Sequence, residues 1–180
     1  MKNKEENHNP KRCPYCQASL KLRWHRVSKG LAESLMLFKR AVIEFDRNKI
    51  HLMKDLKLSN NQFGNFNKLR YSGLIAKYIN PETKKHESGY WLLTRRGNQF
   101  VKNELQIPNS VQTFRNKISD RSDKLVFISE ILNDDTVKYW DAKDDFGFEY
   151  ADIDEMEEIK FDMNGQGLLT FKTETHETIH

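Results

Sequence analysis

Two cysteines are all that the 180-residue chain contains, and both sit in one tetrapeptide, Cys13-Pro14-Tyr15-Cys16. No second pair exists to complete a four-thiolate zinc site. Long apolar runs are also missing. None reaches the roughly 20 residues needed to span a bilayer. The first twelve residues are rich in Lys, Glu and Asn rather than built like a secretion signal. A cytoplasmic protein with no membrane attachment is expected, and a structural disulfide does not suit that compartment. The common marks of catalysis are absent too: there is no phosphate-binding loop, dinucleotide fingerprint or nucleophile elbow. The six histidines are scattered, with no evident carboxylate partner for acid–base work. A non-catalytic protein is expected.

What is present is charge, unevenly placed. Charged residues make up 31% and apolar residues 37%, ordinary values for a folded chain of one domain with additions. The net charge of +4 hides a division. Residues 1–119 hold 24 Lys+Arg against 9 Asp+Glu, a net +15. Residues 120–180 hold 6 against 17, a net −11. A positive field attracts phosphates whatever the sequence and speeds encounter. Uneven surface charge with no such role is the plain alternative.

The basic part carries a run of consistent local signals. Val27, Leu31, Leu35, Phe38, Val42 and Phe45 recur at helical spacing, with Ser28 as a cap. Asn48 stands where it can cap a short helix carrying Ile50, Leu52, Met53 and Leu56. Ser59 and Gln62 have the spacing of a capping box, which opens a helix over 60–72. Gly73 suits the left-handed residue that ends it. Two strands are predicted next, Leu74–Ile79 and Tyr90–Leu93. Asn80-Pro81 and Ser88-Gly89 supply turn chemistry on either side of a tip. Thr94 then opens another helix, which runs to about Leu105 and is ended by Pro108.

Helix, turn, helix, two-stranded hairpin, helix is the order in Ile50–Val101. With Gly73-Leu74-Ile75 and Tyr90-Trp91-Leu92-Leu93-Thr94-Arg95-Arg96-Gly97-Asn98-Gln99-Phe100, the stretch resembles winged helix-turn-helix transcription regulators over roughly a third of the chain. The resemblance implies double-stranded DNA binding in transcriptional control, often as a homodimer. The expected fold is α+β. It has a disordered tail over 1–12, a Cys-x-x-Cys knuckle over 13–25, a winged helix over 26–107 and an acidic antiparallel β extension over 108–180.

A helical wheel of 60–72 sends Phe63, Phe66 and Leu69 to the core. Asn61, Gly64, Lys68 and Tyr71 then face outward, with Asn65 at the edge. Asn pairs bidentately with adenine, and Lys reaches guanine or phosphate. Gly64 costs about 1 kcal/mol inside a helix and lets the backbone come close to DNA. Arg70, Lys84, Lys85 and His86 are placed for backbone contacts. Arg95 and Arg96 open a helix whose free amides favour phosphate. The rival reading is a protein-interaction adaptor on the same scaffold.

The cysteine pair leaves three readings open: a zinc site of Cys13, Cys16 and His25, with His8 as a fourth ligand, plain thiols, or a redox dithiol. The tetrapeptide matches the glutaredoxin active site, but no strand precedes it and no suitable helix follows, so glutaredoxin activity is rejected. Trp24, Trp91 and Trp140 read as core or interface aromatics. In the last third, strands are expected at Val111–Arg115, Leu125–Ser129, Val137–Trp140 and Phe146–Tyr150, with a hairpin around Asp162–Gly165. Its carboxylates fail the calcium-loop template, because Lys143 takes a ligand slot and Phe146 the glycine position. The acidic third either masks the basic face or serves as a dimerisation or partner-binding sheet.

Overall fold

The computed structural model describes residues 21–133 and the backbone of 160, 161, 167 and 168. The order is β1 (Arg23–Arg26), α1 (Lys29–Glu44), β2 (Ile50–His51), α2 (Leu52–Asp55) and α3 (Asn60–Asn65). A 3-10 segment (Phe66–Ser72), β3 (Ile75–Ile79), β4 (His86–Leu93) and α4 (Arg95–Val101) follow. Then come β5 (Ile107–Pro108), β6 (Ser110–Phe114), β7 (Lys117–Arg121), β8 (Leu125–Val126) and α5 (Ile128–Leu132). A last ribbon pairs β9 (Lys160–Phe161) with β10 (Gly167–Leu168), flanking the expected hairpin turn. The protein is thus α+β, with small antiparallel sheets of order β2-β4-β3, β1-β6-β7 and β5-β8.

Helix α1 is the spine of the core. Leu31, Leu35, Phe38 and Val42 are buried along one side. They meet Ile50, Phe66, Leu69, Leu74, Trp91, Leu93 and Phe100 in one cluster. Ile107, Val126, Ile128 and Leu132 belong to the same cluster, so residues on both sides of position 108 share one core. Val27 is also buried, ahead of the helix, but Phe45 caps its C-terminus and is 42% exposed. Ser28 takes the N-cap position without a side-chain hydrogen bond.

Several local expectations hold. Ser59 and Gln62 form both bonds of the capping box. Gly73 is left-handed, with φ of 70°. Thr94 caps α4: its Oγ1 accepts from Gly97 N–H at 2.9 Å and donates to the Gly73 carbonyl at 2.6 Å. Gly97 lies against the Leu74 carbonyl, where an added Cβ would stand 2.0 Å from the oxygen.

Others are corrected. The Ile50 helix begins as strand, because Ile50 and His51 pair with Trp91 and Tyr90. The remaining turn, α2, is capped by His51, whose ring accepts from the Met53 and Lys54 amides. Asn48 does not cap it. Its amide instead donates to the Leu93 carbonyl and accepts from the Leu93 N–H, replacing a strand neighbour at the end of β4. Ser88-Gly89 is not a turn but part of β4. The α4 helix stops at Val101, one turn short of the expected end at Leu105. The strand expected at Leu125–Ser129 has only two residues, and α5 follows. Glu130 accepts the Phe127 N–H at 2.6 Å, and Ile128 and Leu132 are buried one helical turn apart. Val137–Trp140 and Phe146–Tyr150 lie outside the described residues.

Candidate nucleic-acid interface

The expected helix over 60–72 is two kinds of helix in series. Its first turn and a half, α3, is α-helical, and from Phe66 to Ser72 it tightens to 3-10. At three residues per turn, side chains three apart line up. Phe66, Leu69 and Ser72 form the buried ridge. Lys68 and Tyr71 form a second ridge, which packs towards β1, β6 and β7. Tyr71 was expected outward, but it is 9% exposed and clusters with Val111 and Ile118. Its ring stacks on His25 at 4.7 Å, and its hydroxyl donates to Asn116 Oδ1 at 3.2 Å. The wheel missed this because it assumed 3.6 residues per turn and no sheet on that side. Phe63, expected in the core, is 42% exposed.

Three of the predicted contact residues do come together. Lys68 Nζ donates to Asn65 Oδ1 at 2.6 Å, and Asn65 Nδ2 donates to Asn61 Oδ1 at 2.8 Å. Asn61 is exposed, and Asn65 and Lys68 are half-buried. Gly64 is exposed, with nothing within 4 Å of where a side chain would begin. Arg70 is half-buried, its guanidinium 5.2 Å from the centre of the Tyr71 ring.

Lys84 and Lys85 are exposed on a separate element, the turn between β3 and β4. Asn80 organises that turn: its Oδ1 accepts from the Glu82 and Thr83 amides. Below the turn, Lys49 donates to Glu87 at 2.6 Å and lies over the rings of Tyr78 and Tyr90, at 3.9 and 4.4 Å. That contact holds the Lys49 ammonium above its usual pKa and the Glu87 carboxyl below. His86 begins β4 rather than sitting at the tip.

Arg95 is exposed in the first turn of α4. Arg96 is partly committed to the fold. Its Nε donates to the Ser72 carbonyl at 3.1 Å, and burial and the charge of Arg121 lower its pKa.

His25 sits with Nε2 2.8 Å from Thr113 Oγ1, so Nδ1 is the nitrogen left for any metal ion. Burial first, then Lys68 and Arg23, hold its pKa below the ordinary histidine value. Cys13, Cys16 and His8 lie outside the described residues. Among the described residues no group of three or more His, Cys, Asp or Glu is gathered to hold an ion. None of the described helices is long and apolar enough to cross a membrane.

Sequence reasoning missed the strand beside this face. β1 is Arg23-Trp24-His25-Arg26, an edge strand paired with β6. Trp24 is 52% exposed, and Trp24, His25 and Arg26 join Asn61, Asn65 and Lys68 around a pocket of about 210 Å³. The available signal was the interleaving of cations with aromatic rings over four residues, a composition suited to nucleic acid. No protein-family model, curated protein or solved structure matches this chain.

Proposed function

We propose that this protein binds double-stranded DNA through a winged helix, in transcriptional control. On this reading α3 and the 3-10 segment enter the major groove, and the β3–β4 turn meets the flanking backbone. The observation that carries the reading is the outward face of α3. Asn61, Gly64 and Asn65 stand there, followed by the half-buried Lys68 in the 3-10 segment, without a carboxylate among them, and the sequence has no Asp or Glu between Asp55 and Glu82. A face meant only for solvent normally mixes both signs. Lys84 and Lys85 on the turn and Arg95 on α4 add cations suited to phosphate.

The test is binding to duplex DNA over a series of salt concentrations. Lys68→Ala with Arg95→Ala should weaken binding and flatten the plot of log affinity against log salt by about 2, roughly 1 per lost phosphate contact. An unchanged slope sinks this assignment.

A protein-interaction adaptor is the second reading. It draws on Met53, 73% exposed on α2, and Phe63 on α3. Such a partner would bind with little salt dependence, and Phe63→Ser would release it.

A further inference from the structure

The pocket between β1 and α3 has the chemistry of an anion site. The Arg26 side chain makes no hydrogen bond or ion pair among the described residues. Lys68 has three N–H donors, and one is spent on Asn65. Among the described residues no carboxylate lines the space. The first turn of α1 forms part of the wall and contains no acidic residue. Trp24 adds an open aromatic face at the rim, where a flat ring can stack. Drug-sized ligands occupy about 300–1,000 Å³. A space of about 210 Å³ is smaller and takes a phosphate with its sugar. A base would then lie outside, against Trp24.

We propose that this pocket binds the phosphate of a nucleotide, held by Arg26, Lys68 and Asn61; the base of a free nucleotide would stack on Trp24. One phosphate chemistry has two sources here: a backbone phosphate of bound DNA or a free mononucleotide. The first source rests on the DNA-binding reading and the second does not. A free mononucleotide would engage Asn61 and Lys68, so it would compete with DNA for them. That makes β1 a specificity-setting or regulatory edge of the recognition surface.

The test uses the full chain with AMP and adenosine as probes, read by NMR at the Trp24 indole N–H, assigned with Trp24→Phe. AMP should shift that signal saturably and adenosine should not. Arg26→Ala should weaken AMP by about tenfold or more, the usual loss for a charge-assisted hydrogen bond. Arg26 is exposed, so an unchanged spectrum elsewhere certifies the fold, and Arg26→Lys should restore part of the affinity.

A second arm measures duplex DNA against salt. If AMP fails to bind but Arg26→Ala lowers the duplex salt slope by about 1, the site holds backbone phosphate and the proposal stands. If AMP binds through Arg26 and duplex DNA does not bind at all, the pocket stands and the DNA reading falls. If neither ligand depends on Arg26, the pocket proposal is overturned. A duplex that still depends on Lys84 and Lys85 would then leave the DNA reading intact.

Discussion

Gly64 separates function from stability more cleanly than any other single position. No neighbour comes within 4 Å of its missing side chain, and it lies in the middle of α3. Glycine there costs a helix about 0.5–1 kcal/mol relative to alanine. Gly64→Ala is therefore expected to raise stability by about that amount in denaturant unfolding. It should weaken duplex DNA binding, because the added methyl keeps the backbone from the groove. A stabilised variant with unchanged DNA affinity would remove Gly64 from the interface. His25 gives a pH signature. Burial, Lys68 and Arg23 all favour its neutral form in the fold, so the folded pKa lies below the unfolded one. The unfolded chain then binds the extra proton first, and stability falls as pH drops through the ordinary histidine range near about 6.5. Melting temperature should decline from pH 7.5 to 5.5, and His25→Gln should flatten that decline. An equal decline in the variant would locate the pH dependence elsewhere.

Among the elements, the link between α4 and the end of the 3-10 segment rests on Thr94. Its hydroxyl is fully buried and makes two hydrogen bonds, one to each element. Thr94→Ala should cost about 1–2 kcal/mol, read as a lower midpoint in urea. Thr94→Ser should recover most of it, since serine caps as well. This cap was legible in the sequence, as were the Ser59–Gln62 box, the Gly73 stop and the α1 stripe. Each depends on residues a few positions apart, so a local pattern records it. The strands β1 and β7 were not legible. Arg23-Trp24-His25-Arg26 and Lys117-Ile118-Ser119-Asp120-Arg121 have little apolar content. They are strands because β6 lies between them and supplies hydrogen-bond partners on both edges. The candidate site was half legible for the same reason. Asn61, Gly64, Asn65 and Lys68 lie close together along one continuous stretch, α3 and the 3-10 segment that follows it, whereas Trp24 and Arg26 arrive from a strand some 40 residues away.

Across the molecule, charge is the strongest asymmetry. Residues 21–133 carry 22 Lys+Arg against 10 Asp+Glu, a net +12, and residues 134–180 carry 4 against 14, a net −10. Cutting the chain at residue 119 would remove Val126, Ile128 and Leu132 from the core, so a charge test must keep them. A chain ending at Asn133 is expected to fold and to bind duplex DNA more tightly than the full protein at low salt, with the advantage shrinking as salt screens the charges. Equal or weaker binding by the folded, shortened chain would argue that the acidic segment does not oppose DNA.

The amino-acid order was enough to set where α1, α3 and α4 begin, which side of α1 is buried, and how charge divides along the chain. Caps, stripes and net charge are short-range or additive properties. Folding in three dimensions settled the rest: the 3-10 tightening that buries Tyr71, the strand pairing of Ile50 and His51, and the meeting of β1 with α3 around a cationic pocket. Each of those depends on contacts between residues far apart in the chain, whose free energy no local window contains.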